Sequence, residues 1–129
     1  MILIVDDDAN MAETCAMMLE SYGYEVRVAL SGAAGMAEIN AAPPDLLISD
    51  CCMPDMTGLQ LCQLVKDSPS GISFPILLMS GSLQCRVASG DNYNAFIKKP
   101  FLAEKLLDEV RTLLGESNAI PTAIAGVRN

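Results

Sequence analysis

The sequence predicts a three-layer α/β domain with a doubly wound, five-stranded parallel sheet, and three observations carry that expectation. Short, nearly unbroken apolar runs recur along the chain, as strands covered on both faces require. Stretches with helical spacing of apolar residues separate them, and strand–helix alternation of this kind implies right-handed crossovers and a parallel sheet. The chain has 129 residues, 51% of them hydrophobic, which suits one core and leaves no room for a second domain of ordinary size.

The strand candidates are ILIV (2–5), YEVRVA (24–29), LLIS (46–49), PILLM (75–79) and NAFIK (94–98). YEVRVA alternates apolar and polar residues, which fits an edge strand. Met11, Cys15, Met18, Leu19 and Tyr22 repeat at helical spacing, with Gly23 as a C-terminal stop. A second helix is expected over 32–41, closed by Pro43 and Pro44, and a third near 57–67, marked by Leu61, Leu64 and Val65. Leu102, Leu106, Val110, Leu113 and Leu114 form the clearest amphipathic stripe, ending before Gly115. Residues 83–89 are a weak, short helix candidate. The domain is thus expected over 1–114, with 115–129 a tail or linker remnant.

Composition narrows the chemistry. A net charge of -8 disfavours a surface that neutralises nucleic-acid phosphates, so no direct nucleic-acid contact is expected. No apolar run approaches the roughly 20 residues of a membrane span, and MILIV is too short for a signal peptide, so no membrane insertion and a cytoplasmic location are expected. Cys15, Cys51, Cys52, Cys62 and Cys85 form no C-x-x-C pair and read as reduced, mostly buried thiols. The chain contains no histidine, so its chemistry must rest on carboxylates, hydroxyls and lysines, and any donor histidine must come from a partner.

Ligands of open α/β sheets bind at the carboxyl ends of strands. There ILIV is followed by Asp6, Asp7 and Asp8, LLIS by Asp50, ILLM by Ser80 and NAFIK by Lys99. Clustered carboxylates repel one another, so Asp6, Asp7 and Asp50 should recruit a hard divalent cation with oxygen ligands, best matched by magnesium. Lys99 would serve as a point charge against a phosphoryl group, and Ser80 as a hydrogen-bond donor to it. These are parts for phosphoryl transfer.

The ordered segments VDDD, ISDCCMPDMTG, LMSG and FIKKPF resemble the motifs of bacterial response-regulator receiver domains, over residues 1 to about 114. The resemblance implies a flavodoxin-like strand order 2-1-3-4-5 and a two-component signalling role. It makes Asp50 the phosphoacceptor, Asp7 a direct magnesium ligand, Asp6 a ligand through water, and the Cys52 backbone carbonyl a further ligand. It makes Lys99 the phosphate-contacting lysine, Ser80 and Phe96 the switch residues, and Lys99-Pro100 a cis peptide. Implied partners are a sensor histidine kinase or histidine phosphotransfer protein and a downstream effector protein or domain. A phosphorylation-dependent homodimer would use the fourth helix, fifth strand and fifth helix. Such a module catalyses its own phosphorylation and dephosphorylation but is not a turnover enzyme.

Plainer readings stand beside these. Asp8 reads as a helix N-cap, and Asp6 and Asp7 could share that role. Asp50 could simply form a turn, although Asp55 fits that task better. Lys98 should point away from Lys99, and Phe96 alone would pass for a core aromatic. A phosphohydrolase of the haloacid-dehalogenase type needs a second acid where Cys52 stands, and no G-x-x-x-x-G-K-[ST] exists for nucleotide hydrolysis. A nonphosphorylated interaction module is the remaining alternative. The segment between Ser80 and Lys99 is shorter than the family's usual, which predicts a reduced or irregular fourth helix. The small side chains of Cys52 and Ser82 would set the lifetime of the phosphorylated state.

Overall fold

A computed structural model of the chain describes residues 1–68, 73–81 and 93–116. In chain order its elements are β1 (Ile2–Val5), α1 (Ala9–Glu20), β2 (Val26–Ala29), α2 (Gly32–Ala41), β3 (Leu46–Asp50), α3 (Gly58–Lys66), β4 (Ile76–Ser80), β5 (Ala95–Lys98) and α4 (Ala103–Leu113). All strand pairs are parallel, and the sheet order is β2-β1-β3-β4-β5. The helix candidate at 83–89 and the expected irregularity before Lys99 lie outside the described residues, as does Ser82. No helix among the described residues is long and apolar enough to cross a membrane.

The burial pattern explains why the apolar runs are unbroken at the centre and broken at the edges. Every residue of β1, β3 and β4 is buried, because helices cover both faces of the inner strands. The edge strands β2 and β5 keep exposed positions at Arg27 and Lys98. Side-chain alternation splits the interior into two layers. Ile2, Ile4, Ile48, Met79 and Ile97 join buried residues of α1 and α4, while Leu3, Val5, Leu47 and Leu78 join Ile39 of α2 and Leu61 of α3.

Local chemistry sets the helix ends. Asp8 caps α1 by accepting from the Met11 amide at 3.1 Å, and Gly23, at φ 95°, permits the reversal that follows. Thr57 and Gln60 form a reciprocal capping box at α3, with bonds of 2.9 and 3.1 Å. The expected helical stripes need three corrections. Tyr22 is 55% exposed and lies under the Arg111 guanidinium, 5.8 Å from its ring centre, because α1 ends at Glu20. In α3 the buried face is Leu61, Cys62 and Val65, and Leu64 points outward. Leu102 precedes α4 and is exposed, so the buried face of that helix is Leu106, Leu107 and Val110. Beyond α4, Gly115 and Glu116 are exposed, and Tyr24 donates a 2.6 Å hydrogen bond to the Glu116 carboxylate.

Gly58 is where α3 presses hardest on the sheet. A Cβ there would lie 2.6 Å from the Asp50 carbonyl oxygen and 3.0 Å from the Cys51 Cα, both backbone atoms with no freedom to retreat. At Gly32 the obstacle is instead the Met56 side chain, which can change rotamer. Gly58→Ala is therefore expected to lower stability by about 2 kcal/mol, despite alanine's better helix propensity, with Gly32→Ala milder. Urea denaturation of both variants checks this, and a Gly58→Ala midpoint equal to wild type would contradict the packing argument.

Candidate functional site

Register brings the polar strand ends together. β1 and β3 are neighbours, and Val5 pairs with Ser49, so one step further Asp6 stands beside Asp50 at the carboxyl edge of the sheet. These two strands flank the point where the winding reverses, the usual ligand position in such sheets. Alternation puts Asp6 and Asp50 on the face shared by Ile4, Ile48 and Ile97. Lys99, two residues beyond Ile97, returns to that face, and its amide extends the β4–β5 ladder by donating to the Ser80 carbonyl at 2.8 Å. Lys98 pairs with Ser80 and is exposed, the opposite orientation from Lys99. The Lys99-Pro100 peptide is cis.

The Lys99 ammonium donates to Asp6 Oδ2 at 3.0 Å and lies 3.4 Å from Asp50 Oδ1. Asp6 is fully buried, and its other oxygen accepts the Asp8 amide at 2.9 Å. Asp7 is exposed. One carboxylate oxygen each from Asp6, Asp7 and Asp50 falls within 4.8 Å of the others. Burial pushes the Asp50 carboxyl above its ordinary value; Lys99 opposes the shift, and Asp6 and Asp7 add to it. For Lys99, burial acts to lower the ammonium, but the bonds and charges of Asp6 and Asp50 outweigh it, so the net direction is upward. One ammonium thus faces a set of carboxylates whose combined charge it does not balance, and the Asp50 charge is net disfavoured in its buried position. Three hard oxygen donors with surplus negative charge fit a magnesium or calcium ion far better than a soft metal.

The other candidate residues sit around this group. Ser80 ends β4 and is 3% exposed, and alternation sets it on the face shared with Leu78 and Phe96, away from the Asp50 face. Phe96 is half-buried against the α2–α3 layer. Cys52 follows in the loop after β3, bridged to Thr57. Its sulfur corrects the expectation of reduced cysteines: Cys52 is exposed and disulfide-bonded, whereas Cys15, Cys51 and Cys62 keep their thiols and are sealed in the interior. Burial pushes the Cys51 and Cys62 thiols up to about 11, so both stay protonated and unreactive near neutral pH.

Sequence reasoning missed one residue in this neighbourhood. Asp55 is more than a turn former: it accepts from the Gly32 and Ala33 amides at 3.1 and 2.9 Å, capping α2 from a different part of the chain. Its turn chemistry was visible, but nothing local announces a partner more than twenty residues away.

A model of the response regulator receiver domain family matches residues 2–111. RpaA of Synechocystis, described as a DNA-binding dual master transcriptional regulator, is 32% identical over 125 residues, covering 95% of this chain and 52% of RpaA. The response regulator MprA of Mycobacterium tuberculosis is 33% identical over 114 residues, covering 88% of this chain and 50% of MprA. The chain thus spans about half the length of the curated relatives it matches. Among solved structures, a response regulator from Chloroflexus aurantiacus superposes with a TM-score of 0.81 at 35% identity, covering 89% of this chain and 97% of that one. A CheY-like receiver domain protein from Methanospirillum hungatei gives 0.80 at 32% identity, covering 88% and 92%. With a match to the family over residues 2–111, a parallel sheet in the order β2-β1-β3-β4-β5 and an acidic cluster at the switch point, the chain belongs to the response regulator receiver domain family of two-component signalling.

Proposed function

We propose that Asp50 is the phosphoacceptor of this receiver domain and that the reaction depends on magnesium. The observation that carries the reading is the position of the Asp50 carboxylate, within 4.8 Å of Asp6 and Asp7 oxygens and 3.4 Å from the Lys99 ammonium. Asp7, exposed and adjacent, would hold magnesium directly together with Asp50, their oxygens lying within 4.8 Å of each other, and with the Cys52 backbone carbonyl. Asp6 would act through water, a reading supported by its two oxygens already accepting from Asp8 and Lys99. When bound, magnesium supplies a charge that offsets the oxygens of the transferring group.

The chain's own residues do the rest. An Asp50 oxygen attacks the phosphorus of a phosphohistidine presented by a sensor histidine kinase or histidine phosphotransfer protein. The N–P bond breaks, an O–P bond forms, and the product is an aspartyl phosphate with the partner's imidazole released. Lys99 shifts its ammonium from the carboxylates toward the phosphoryl oxygens, and Ser80 donates a hydrogen bond to one of them. Phe96, on the same face of neighbouring β5, then turns inward and changes the surface offered to a downstream effector or to a second copy of the chain. Output is switching of an interaction surface, with no turnover of substrate. The net charge of -8 supports a chain that itself makes no nucleic-acid contact, whatever the longer relatives do.

Incubation with magnesium and a small-molecule phosphodonor should add one phosphoryl group to wild type and none to Asp50→Asn, read by intact mass. Equal labelling of both proteins would remove Asp50 from the role. A second outcome follows from the raised Asp50 carboxyl. Its charged form is disfavoured in the fold, so the penalty is absent below the ordinary carboxyl value of 3.8 and grows as pH rises through the folded value. Metal-free Asp50→Asn should therefore melt above wild type at neutral pH, the difference closing as pH drops to about 3.5. A variant melting below wild type at pH 7 would show that Lys99 overcompensates the buried charge.

A further inference from the structure

The loop between β3 and α3 leads from Asp50 to Cys52 and on to Thr57, and several bonds within it hold its shape. Gly58 donates to the Cys51 carbonyl at 2.8 Å, Cys52 bridges Thr57, and Met53 donates to Met56 at 3.2 Å. Such bonds preserve the loop's shape, while its base is held by the Cys51 amide, which donates to the Met79 carbonyl at 2.8 Å, and by the Cys52 disulfide. The tip is tied to a different element, α2. There the Asp55 carboxylate takes the Gly32 and Ala33 amides, and the Met56 side chain occupies the space a Gly32 Cβ would fill.

α2 is in turn seated on β1. A Cβ at Gly35 would lie 2.8 Å from a Val5 methyl, and Val5 immediately precedes Asp6 and Asp7. Both halves of the acidic site are thus referenced to one helix turn, β1 through Gly35 and the β3–α3 loop through Asp55. The helix does not need Asp55 merely to begin, because Ser31 already caps it by accepting the Ala34 amide at 3.0 Å.

From this we infer that Asp55 is a positioning residue for metal binding, a strut that holds the Cys52 loop in register with Asp6 and Asp7 through the first turn of α2. The inference rests on the proposed magnesium site. Residues that orient ligands without touching the metal commonly change its affinity by an order of magnitude or more.

The test is a calorimetric titration of the full chain with magnesium alone, under reducing conditions so that the Cys52 disulfide does not hold the loop in place of Asp55. Asp55→Ala should bind roughly tenfold more weakly than wild type, and Asp55→Asn, which keeps one acceptor oxygen, should fall between them. Ser31→Ala removes the other cap of the same helix turn, so it should lower the melting temperature yet leave magnesium affinity unchanged. Wild-type affinity in Asp55→Asn and Asp55→Ala, or an equal loss in Ser31→Ala, overturns the strut. If wild type takes up no magnesium, the metal site itself is wrong and the inference falls with it, an outcome distinct from equal binding by all variants.

Discussion

The Lys99 ammonium, 3.0 Å from Asp6 and 3.4 Å from Asp50, is the interaction on which the carboxyl edge of this sheet depends. Two buried carboxylates from neighbouring strands would repel each other in a poorly solvated space, and Lys99 is the cation placed between them. Its compensation is incomplete, since burial with Asp6 and Asp7 nearby still lifts the Asp50 carboxyl. Residual negative charge at a rigid edge favours a hard cation or a group carrying one. A site in which every charge was satisfied by protein would have nothing left to bind.

That arrangement depends on sheet order more than on any single side chain. Because β1 lies between β2 and β3, the residues after Val5 and the end of β3 become neighbours, and β5 reaches the same edge through β4. Alternation then sorts the edge into two faces. Asp6, Asp50 and Lys99 share one, whereas Ser80 and Phe96 share the other. Ser80, buried at the end of β4, follows Met79, the register partner of Asp50, and lies on the Phe96 face.

Most elements were legible because their signals are local. ILIV and residues 32–41 match β1 and α2 residue for residue, and Asp8 caps α1 as its place before an apolar repeat indicates. Fully buried strands are unmistakable when helices cover both faces, which is why the strands of the site were the clearest features of the chain. Helical faces were read less well. Tyr22, Leu64 and Leu102 fit the apolar spacing yet point outward, since periodicity marks a stripe but not where the neighbouring layer ends.

The sequence by itself determined the strand–helix alternation, the polar residue that follows most of the strands, and the Asp8 cap that starts α1, because each depends on residues within about one helical turn or strand of one another. Only tertiary structure decided which carboxylates meet the Lys99 ammonium, that Asp7 stays exposed while Asp6 is sealed, and that Asp55 reaches across to α2. Those outcomes follow from register between strands and from the seating of helices on the sheet. Both are properties of groups far apart in the chain, and no local pattern of residues encodes them.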